Sequence, residues 1–172
     1  MGFSNKLKIK QLREQYLIND VDFKNELIKL ECIDIVKQAN PDYFVTLTFA
    51  NAVNEFHAVK TLSVCIHHIN KQVFGRRSKN KMTIFPFIER DASGEFHFHL
   101  AIKNPTAKKI FDFEKIIKKK WRSMHGHGFA TFKKDKWFQT INTKVELDNV
   151  ANYIVKQTYG NNNPLVVECL NY

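Results

Sequence analysis

Two histidines flank one phenylalanine in Glu95-Phe96-His97-Phe98-His99-Leu100, a run that alternates polar and apolar residues as a β-strand does. Successive side chains of a strand point to opposite faces, so Glu95, His97, His99 and Ala101 share one face. Phe96, Phe98, Leu100 and Ile102 share the other, which belongs to a core. Two imidazoles on one strand face lie close enough to bind a single metal ion. Residues 81–89 also read as a strand, and Asp91-Ala92-Ser93-Gly94 supplies the turn between the two. Such a hairpin brings Glu89 back beside His97, giving a two-histidine, one-carboxylate set of Glu89, His97 and His99. Isolated strand histidines are usually just hydrogen-bonded polar residues, and His-x-His arises by chance in a chain with seven histidines. The returning carboxylate and the strongly apolar opposite face favour a ligand set here. The other histidine pairs are weaker: His125-Gly126-His127 lies in a glycine loop without a carboxylate. His67 and His68 are neighbours on a helix, where adjacent residues diverge by about 100°.

A second reactive group follows on another element. In Asp148-Asn149-Val150-Ala151-Asn152-Tyr153-Ile154-Val155-Lys156-Gln157, helical spacing puts Tyr153, Lys156 and Gln157 on one face. Ala151, Ile154 and Val155 are left to face a sheet. A phenol beside a metal can attack a phosphodiester and become a phosphotyrosine, and a nearby ammonium favours the phenolate. Tyrosine–lysine pairs at this spacing are common on helix surfaces, so the weight lies in their order after the histidine hairpin. Tyr159 is also tyrosine, but six positions along a helix rotate it away from Tyr153, and Gly160 ends the run.

The elements that must position these groups can be read in outline. Residues 7–18 and 22–38 carry helical patterns, the second capped by Asp20 or Asp22 and stopped at Asn40-Pro41. Residues 43–49 form a β-branched and aromatic strand. Residues 54–74 form a helix closed by Gly75, then the hairpin spans 81–103. A lysine-rich helix is expected over 111–122, a fourth strand over 137–147, a helix capped by Asp148 over 149–158, and an edge strand over 165–170. From residue 43 the order is β-α-β-β-α-β, which predicts an α+β fold of the ferredoxin-like or RRM-like split βαβ type. Its antiparallel sheet would carry helices on one face and Glu89, His97 and His99 on the other. Pro86, lacking an N–H, suits an edge strand of that sheet. The expected division is a helical extension over 1–40 and the catalytic domain over 41–172.

Composition narrows the class. The chain has 172 residues, 44% hydrophobic and 13% aromatic, with a net charge of +10. That is enough for one domain with a core and points to a polyanionic partner. Basic clusters at Arg76-Arg77, Lys108-Lys109, Lys118-Lys119-Lys120 and Lys133-Lys134 lie beside Phe74, Phe111, Trp121 and Trp137. That mixture suits phosphate contacts with base stacking on single strands, although lysine runs are often only solvated helix faces. Three scattered cysteines suggest a reducing cytoplasm rather than a disulfide framework or a zinc knuckle. No apolar run approaches the length of a membrane span.

Taken together, these motifs resemble the HUH endonucleases, in particular the single-tyrosine rolling-circle replication initiators. Val45-Thr46-Leu47-Thr48-Phe49 matches the first motif of that family and His97-Phe98-His99 the second. Tyr153-Ile154-Val155-Lys156 matches the third, and Glu89 stands eight residues before the first histidine. The resemblance covers roughly residues 43–159. It implies a metal-dependent nickase and strand transferase that acts on single-stranded DNA or an origin hairpin through a 5′-phosphotyrosine. Mg²⁺ or Mn²⁺ would be held by Glu89, His97 and His99, with Tyr153 as nucleophile and Lys156 assisting. Thr46, Thr48, Arg76, Arg77, Lys118, Lys119, Lys120 and Gln157 are the expected DNA contacts. A host helicase and polymerase are implied as partners, no membrane is, and the setting is a bacterial cytoplasm, or the host nucleus for a eukaryotic virus. The first forty residues have no place in the minimal fold, and no P-loop is present. The chain could therefore be a stand-alone initiator, a related transposase acting on a transposon end, or a nuclease domain of a larger protein. Two other classes compete. A non-haem iron oxygenase shares the two-histidine, one-carboxylate set but needs a substrate pocket, usually on a closed β-scaffold. A non-enzymatic RRM-like module would need exposed aromatics on the histidine face, whereas Phe96 and Phe98 point the other way.

Overall fold

The alternation around the histidine pair folds as an interior strand of a four-stranded sheet. The computed structural model of the protein describes residues 20–49, 51–91, 93–104, 112–124 and 137–156. Its elements in chain order are α1 (Asp20–Ala39), β1 (Tyr43–Thr48), α2 (Glu55–Phe74), β2 (Ile84–Arg90), β3 (Phe96–Ile102), α3 (Phe113–Arg122), β4 (Phe138–Thr140) and α4 (Lys144–Lys156). The sheet is antiparallel in the order β2-β3-β1-β4. From β1 onward this is the expected split βαβ arrangement, with Pro86 on an outer strand.

Local chemistry accounts for the ends of the elements. Asn54 caps α2 by accepting a hydrogen bond from the His57 amide, and Gly75 closes it at φ 92°, a conformation that favours glycine. Asp112 caps α3 through the Lys115 amide. Between β2 and β3, Asp91 accepts bonds from the Ser93 and Glu95 amides while Gly94 takes φ 85°.

The fourth strand is shorter than its alternation suggests, and the last helix starts at Lys144 rather than Asn149. Thr143-Lys144-Val145-Glu146 is a capping box: the Glu146 amide donates to Thr143 Oγ1 at 3.1 Å. In return, Glu146 Oε2 accepts from the amides of Thr143 and Asn142 at 3.0 and 2.7 Å. Asp148, expected to be the cap, lies inside the helix and pairs with Lys37 of α1 at 2.6 Å. The helix expected over 7–18 and the strand over 165–170 lie outside the described residues.

Two apolar clusters sandwich the sheet. Val45, Leu47, Phe98, Leu100 and Ile102 face Leu62, Ile66 and Ile69 of α2 and Ile117 and Trp121 of α3. This is the helix-bearing face anticipated from the pattern. The second face is not left open along its whole length. Phe44, Phe87 and Ala101 of the sheet are buried with Cys32 and Val36 of α1 and Val150, Ala151 and Ile154 of α4. Each large apolar side chain so covered contributes about 1.5–3 kcal/mol, which an open face would forfeit at Phe44 and Phe87. Among the described residues no helix is long and apolar enough to cross a membrane.

Candidate active site

His99 is the fixed point of the site. It lies on interior strand β3, opposite Thr46 of β1 and Phe87 of β2, and is only 4% exposed. Its Nε2 is 2.7 Å from Glu89 Oε2 and its Nδ1 is 3.1 Å from Thr46 Oγ1. Phe44, two residues before Thr46 and therefore on the same face, stacks on the imidazole at 5.4 Å and 13°. A hydrogen bond at each nitrogen and a ring against its face leave this imidazole a single orientation.

His97 is held differently, by the hairpin turn. It is the cross-strand partner of Glu89 and lies opposite Thr48. Its Nδ1 is 3.3 Å from the carbonyl of Glu95, which can only accept, so that nitrogen carries the proton. Its Nε2 faces Asp91 Oδ2 at 3.6 Å. The hydroxyl of Ser93, helped by the amides of Glu95 and Ser93, holds the Asp91 carboxyl below the usual carboxylate range.

Tyr153 reaches this cluster from α4. Val150, Ala151 and Ile154 anchor that helix in the interior, and Tyr153 on its flank is 44% exposed. Its ring stands edge-on to His99 at 5.3 Å and 85°, and edge-on to Phe44 at 5.9 Å and 82°. The phenol thus stands next to the imidazole while a good part of the side chain stays open to solvent. Lys156 lies one turn further along the same helix.

The remaining expected residues divide sharply. Thr46 is turned to His99, and Thr48 is buried at 7% exposure opposite His97. Arg76 and Arg77 follow α2, and Lys118, Lys119 and Lys120 lie on α3, in the layer across the sheet from Tyr153. Lys118 sits 5.9 Å above the Trp137 ring. Gln157, Tyr159 and the His125–His127 pair lie outside the described residues. Tyr43 stacks on Phe113 at 5.7 Å, in the α3 layer, and burial followed by the nearby Asp42 charge raises its phenol pKa. Phe44 and Asp91 escaped the reading of the sequence as site residues. Both could have been found by period two, Phe44 counting back from Thr46 and Asp91 counting on from Glu89.

The donor chemistry suits a divalent cation. Among the described residues no three His, Cys, Asp or Glu side chains already converge on one point. Even so, two imidazoles each keep Nδ1 on a protein oxygen and turn Nε2 to a carboxylate. Oxygen partners at the far nitrogen are what orient metal-ligating histidines. The register sets Glu89, His97 and His99 on one face of two paired strands.

A family model described as Replication-associated protein ORF2/G2P matches residues 42–159, a span that takes in the whole sheet, the histidine hairpin and Tyr153. Comparisons with curated proteins and with solved structures give no match. The matched span is well over half of the 172 residues, and the chain belongs to the replication-associated protein ORF2/G2P family.

Proposed function

We propose that this protein is an HUH-type endonuclease that nicks single-stranded DNA and starts rolling-circle replication through a covalent tyrosine intermediate. The observation that carries the proposal is the edge-on contact of Tyr153 with His99, two residues from separate elements meeting at a half-exposed position. The Tyr153 hydroxyl attacks the scissile phosphorus. A bond forms from the phenol oxygen to phosphorus, and the bond from phosphorus to the 3′ oxygen breaks. The phenol loses its proton, the 3′ oxygen gains one, and the protein is left joined to the 5′-phosphate. Mg²⁺ or Mn²⁺, held by Glu89, His97 and His99, would supply Lewis-acid polarisation of the phosphoryl oxygen. Lys156, three residues from Tyr153, eases ionisation of the phenol and attracts the phosphate. Because the new bond is itself a phosphodiester, the released 3′-hydroxyl can reverse the reaction and rejoin strands without ATP.

Burial of Phe44 and Phe87 on this side of the sheet, with Phe85 partly buried beside them, supports an enzyme over an RRM-like module, which would use such rings as an exposed stacking platform. The membership of the chain in a replication-associated family supports replication as the setting. The test is direct. Tyr153→Phe removes one oxygen, and incubation with labelled single-stranded target DNA and Mn²⁺ should then give no protein–DNA adduct on a denaturing gel. Tyr43→Phe should still form it. An adduct that persists in Tyr153→Phe would overturn the assignment.

A further inference from the structure

We propose that Asp91 is a fourth donor of the cation site, binding the same ion as His97. This rests on reading Glu89, His97 and His99 as ligands, and it adds a residue that the sequence presents only as part of a turn.

Three observations carry the inference. The first is the state of the Asp91 carboxylate. Oδ1 accepts from the Ser93 amide at 2.9 Å, the Ser93 hydroxyl at 2.6 Å and the Glu95 amide at 2.9 Å. The turn is closed again by the Asp91 amide on the Glu95 carbonyl and the Gly94 amide on the Asp91 carbonyl, both at 2.9 Å. One oxygen is therefore committed to the backbone, and the other, Oδ2, is held facing His97.

The second observation is the state of His97. Its Nδ1 donates to the Glu95 carbonyl, so in the neutral form, the form that binds a cation, the ring has its lone pair at Nε2. That lone pair faces an anionic oxygen, an arrangement that a positive species between them would satisfy.

The third is the spacing. At 3.6 Å, Nε2 and Oδ2 lie beyond a direct N–H···O hydrogen bond. Two donors that each bind one divalent ion at about 2.1 Å stand roughly 3.0 Å apart at a right angle and about 3.4 Å apart at a tetrahedral angle. For an octahedral ion such as Mg²⁺ the first figure applies, so the His97–Asp91 gap of 3.6 Å leaves room for the ion and closes toward about 3.0 Å when both donors bind it. The Glu89–His99 contact at 2.7 Å is instead an ordinary hydrogen bond. The pair with room for an ion between its donors is thus the one that includes Asp91. The turn that holds this carboxylate also supplies the carbonyl that orients His97, so residues 91 to 95 build one side of the site.

The experiment is calorimetric titration of the full chain with Mn²⁺ alone. Asp91→Asn keeps an oxygen acceptor for the Ser93 and Glu95 amides and replaces the oxygen facing His97 with an NH₂ group, which cannot bind the ion. Its Mn²⁺ affinity should fall at least ~10-fold, by the standard of orienting partners, whose loss costs about 10–100-fold. Should Asp91→Asn not fold, Asp91→Ser, which also accepts from turn amides, must show the same loss. Affinity within about two-fold of wild type in the folded variant overturns the inference. A His97→Ala, His99→Ala double variant separates this failure from the larger one. If the double variant loses Mn²⁺ and Asp91→Asn does not, Asp91 alone is excluded. If the double variant binds unchanged, the cation site itself is misplaced, and the inference falls with it.

Discussion

The Thr46 hydroxyl, 3.1 Å from His99 Nδ1, can donate or accept, and that freedom suits it to its place. When His99 donates from Nε2 to Glu89, Nδ1 carries the lone pair and Thr46 donates to it. When Nε2 is wanted as a ligand, Nδ1 carries the proton and Thr46 accepts. Thr46→Val keeps the shape and removes this partner, so Mn²⁺ affinity should fall by about 10–100-fold while single-stranded DNA affinity without metal stays near wild type. Thr46→Ser should restore the metal affinity, and calorimetry beside fluorescence anisotropy reads both. If Thr46→Val instead weakens metal-free DNA binding and spares Mn²⁺, the hydroxyl is a DNA contact. Period two made the three candidate ligands legible from the sequence, because alternation alone puts Glu89, His97 and His99 on one face. The individual bonds were not legible. Whether Glu89 meets His97 or His99 depends on rotamers and on the diagonal offset across β2 and β3, and period two is blind to both.

At the scale of elements, α4 matters most because it carries Tyr153, the proposed nucleophile. Its true start at Thr143 hid behind a segment that alternates like a strand, although the Thr-x-x-Glu signature was present at residues 143–146. Hydrogen bonding of three backbone amides, those of Asn142, Thr143 and Glu146, outweighed a weak period-two pattern there. Thr143→Ala should destabilise the protein by about 1 kcal/mol in denaturant unfolding, the usual cost of losing such a cap. Glu146 adds a pH dependence whose sign is clear. The amides of Asn142 and Thr143 hold its carboxyl below the usual value. Its contribution is therefore fully present above the unfolded-state carboxylate pKa and is lost as pH falls through the lowered folded-state pKa. Glu146→Gln should flatten the acid limb of the stability curve, and an unchanged limb would show that the bond is absent in solution. The hairpin, α2 and α3 were legible because each has a strong period and a clear end signal. That Ala151 and Ile154 of α4 meet the sheet was legible too; that they cover its second face, and that α1 joins them there, was not, since a helical pattern shows which stripe is apolar but not which surface it meets.

Across the whole molecule, the basic clusters among the described residues, Arg76–Arg77 and Lys118–Lys120, do not gather around Tyr153. Arg76, Arg77 and the Lys118–Lys120 run belong to the α2–α3 layer, on the far side of the sheet from the phenol. In a chain of net charge +10 their expected effect on a nucleic-acid partner is through the long-range field as much as through contact. Replacing Lys118, Lys119 and Lys120 together by alanine should slow association with single-stranded DNA and flatten its salt dependence. Adduct yield at saturating DNA, and the position of the nick, should stay the same. Stopped-flow association at several salt concentrations, with a gel assay at saturation, measures both. A shifted nick or a lost adduct at saturation would place these lysines on the scissile strand itself. Burial of α1 residues Cys32 and Val36 together with α4 residues Ala151 and Ile154 also joins the first described helix to the helix of Tyr153.

Pro86 sits in the outermost strand beside the histidine hairpin, and its orientation there has a consequence for neighbouring copies of the molecule. The Lys103 amide bonds to the carbonyl of Thr83 opposite it, and the Asp91 amide bonds to the carbonyl of Glu95. Odd-numbered residues of that strand therefore form the hydrogen-bonded pairs with β3, and even-numbered ones turn their backbone outward. The nitrogen of Pro86 consequently faces away from the sheet, in the middle of the row where a further strand would have to attach. An incoming chain would find no donor at that point and would meet a pyrrolidine ring instead, which disfavours edge-to-edge stacking of sheets. The function proposed above needs this hairpin open to nucleic acid, and Pro86 keeps the same edge from pairing with other copies of the chain.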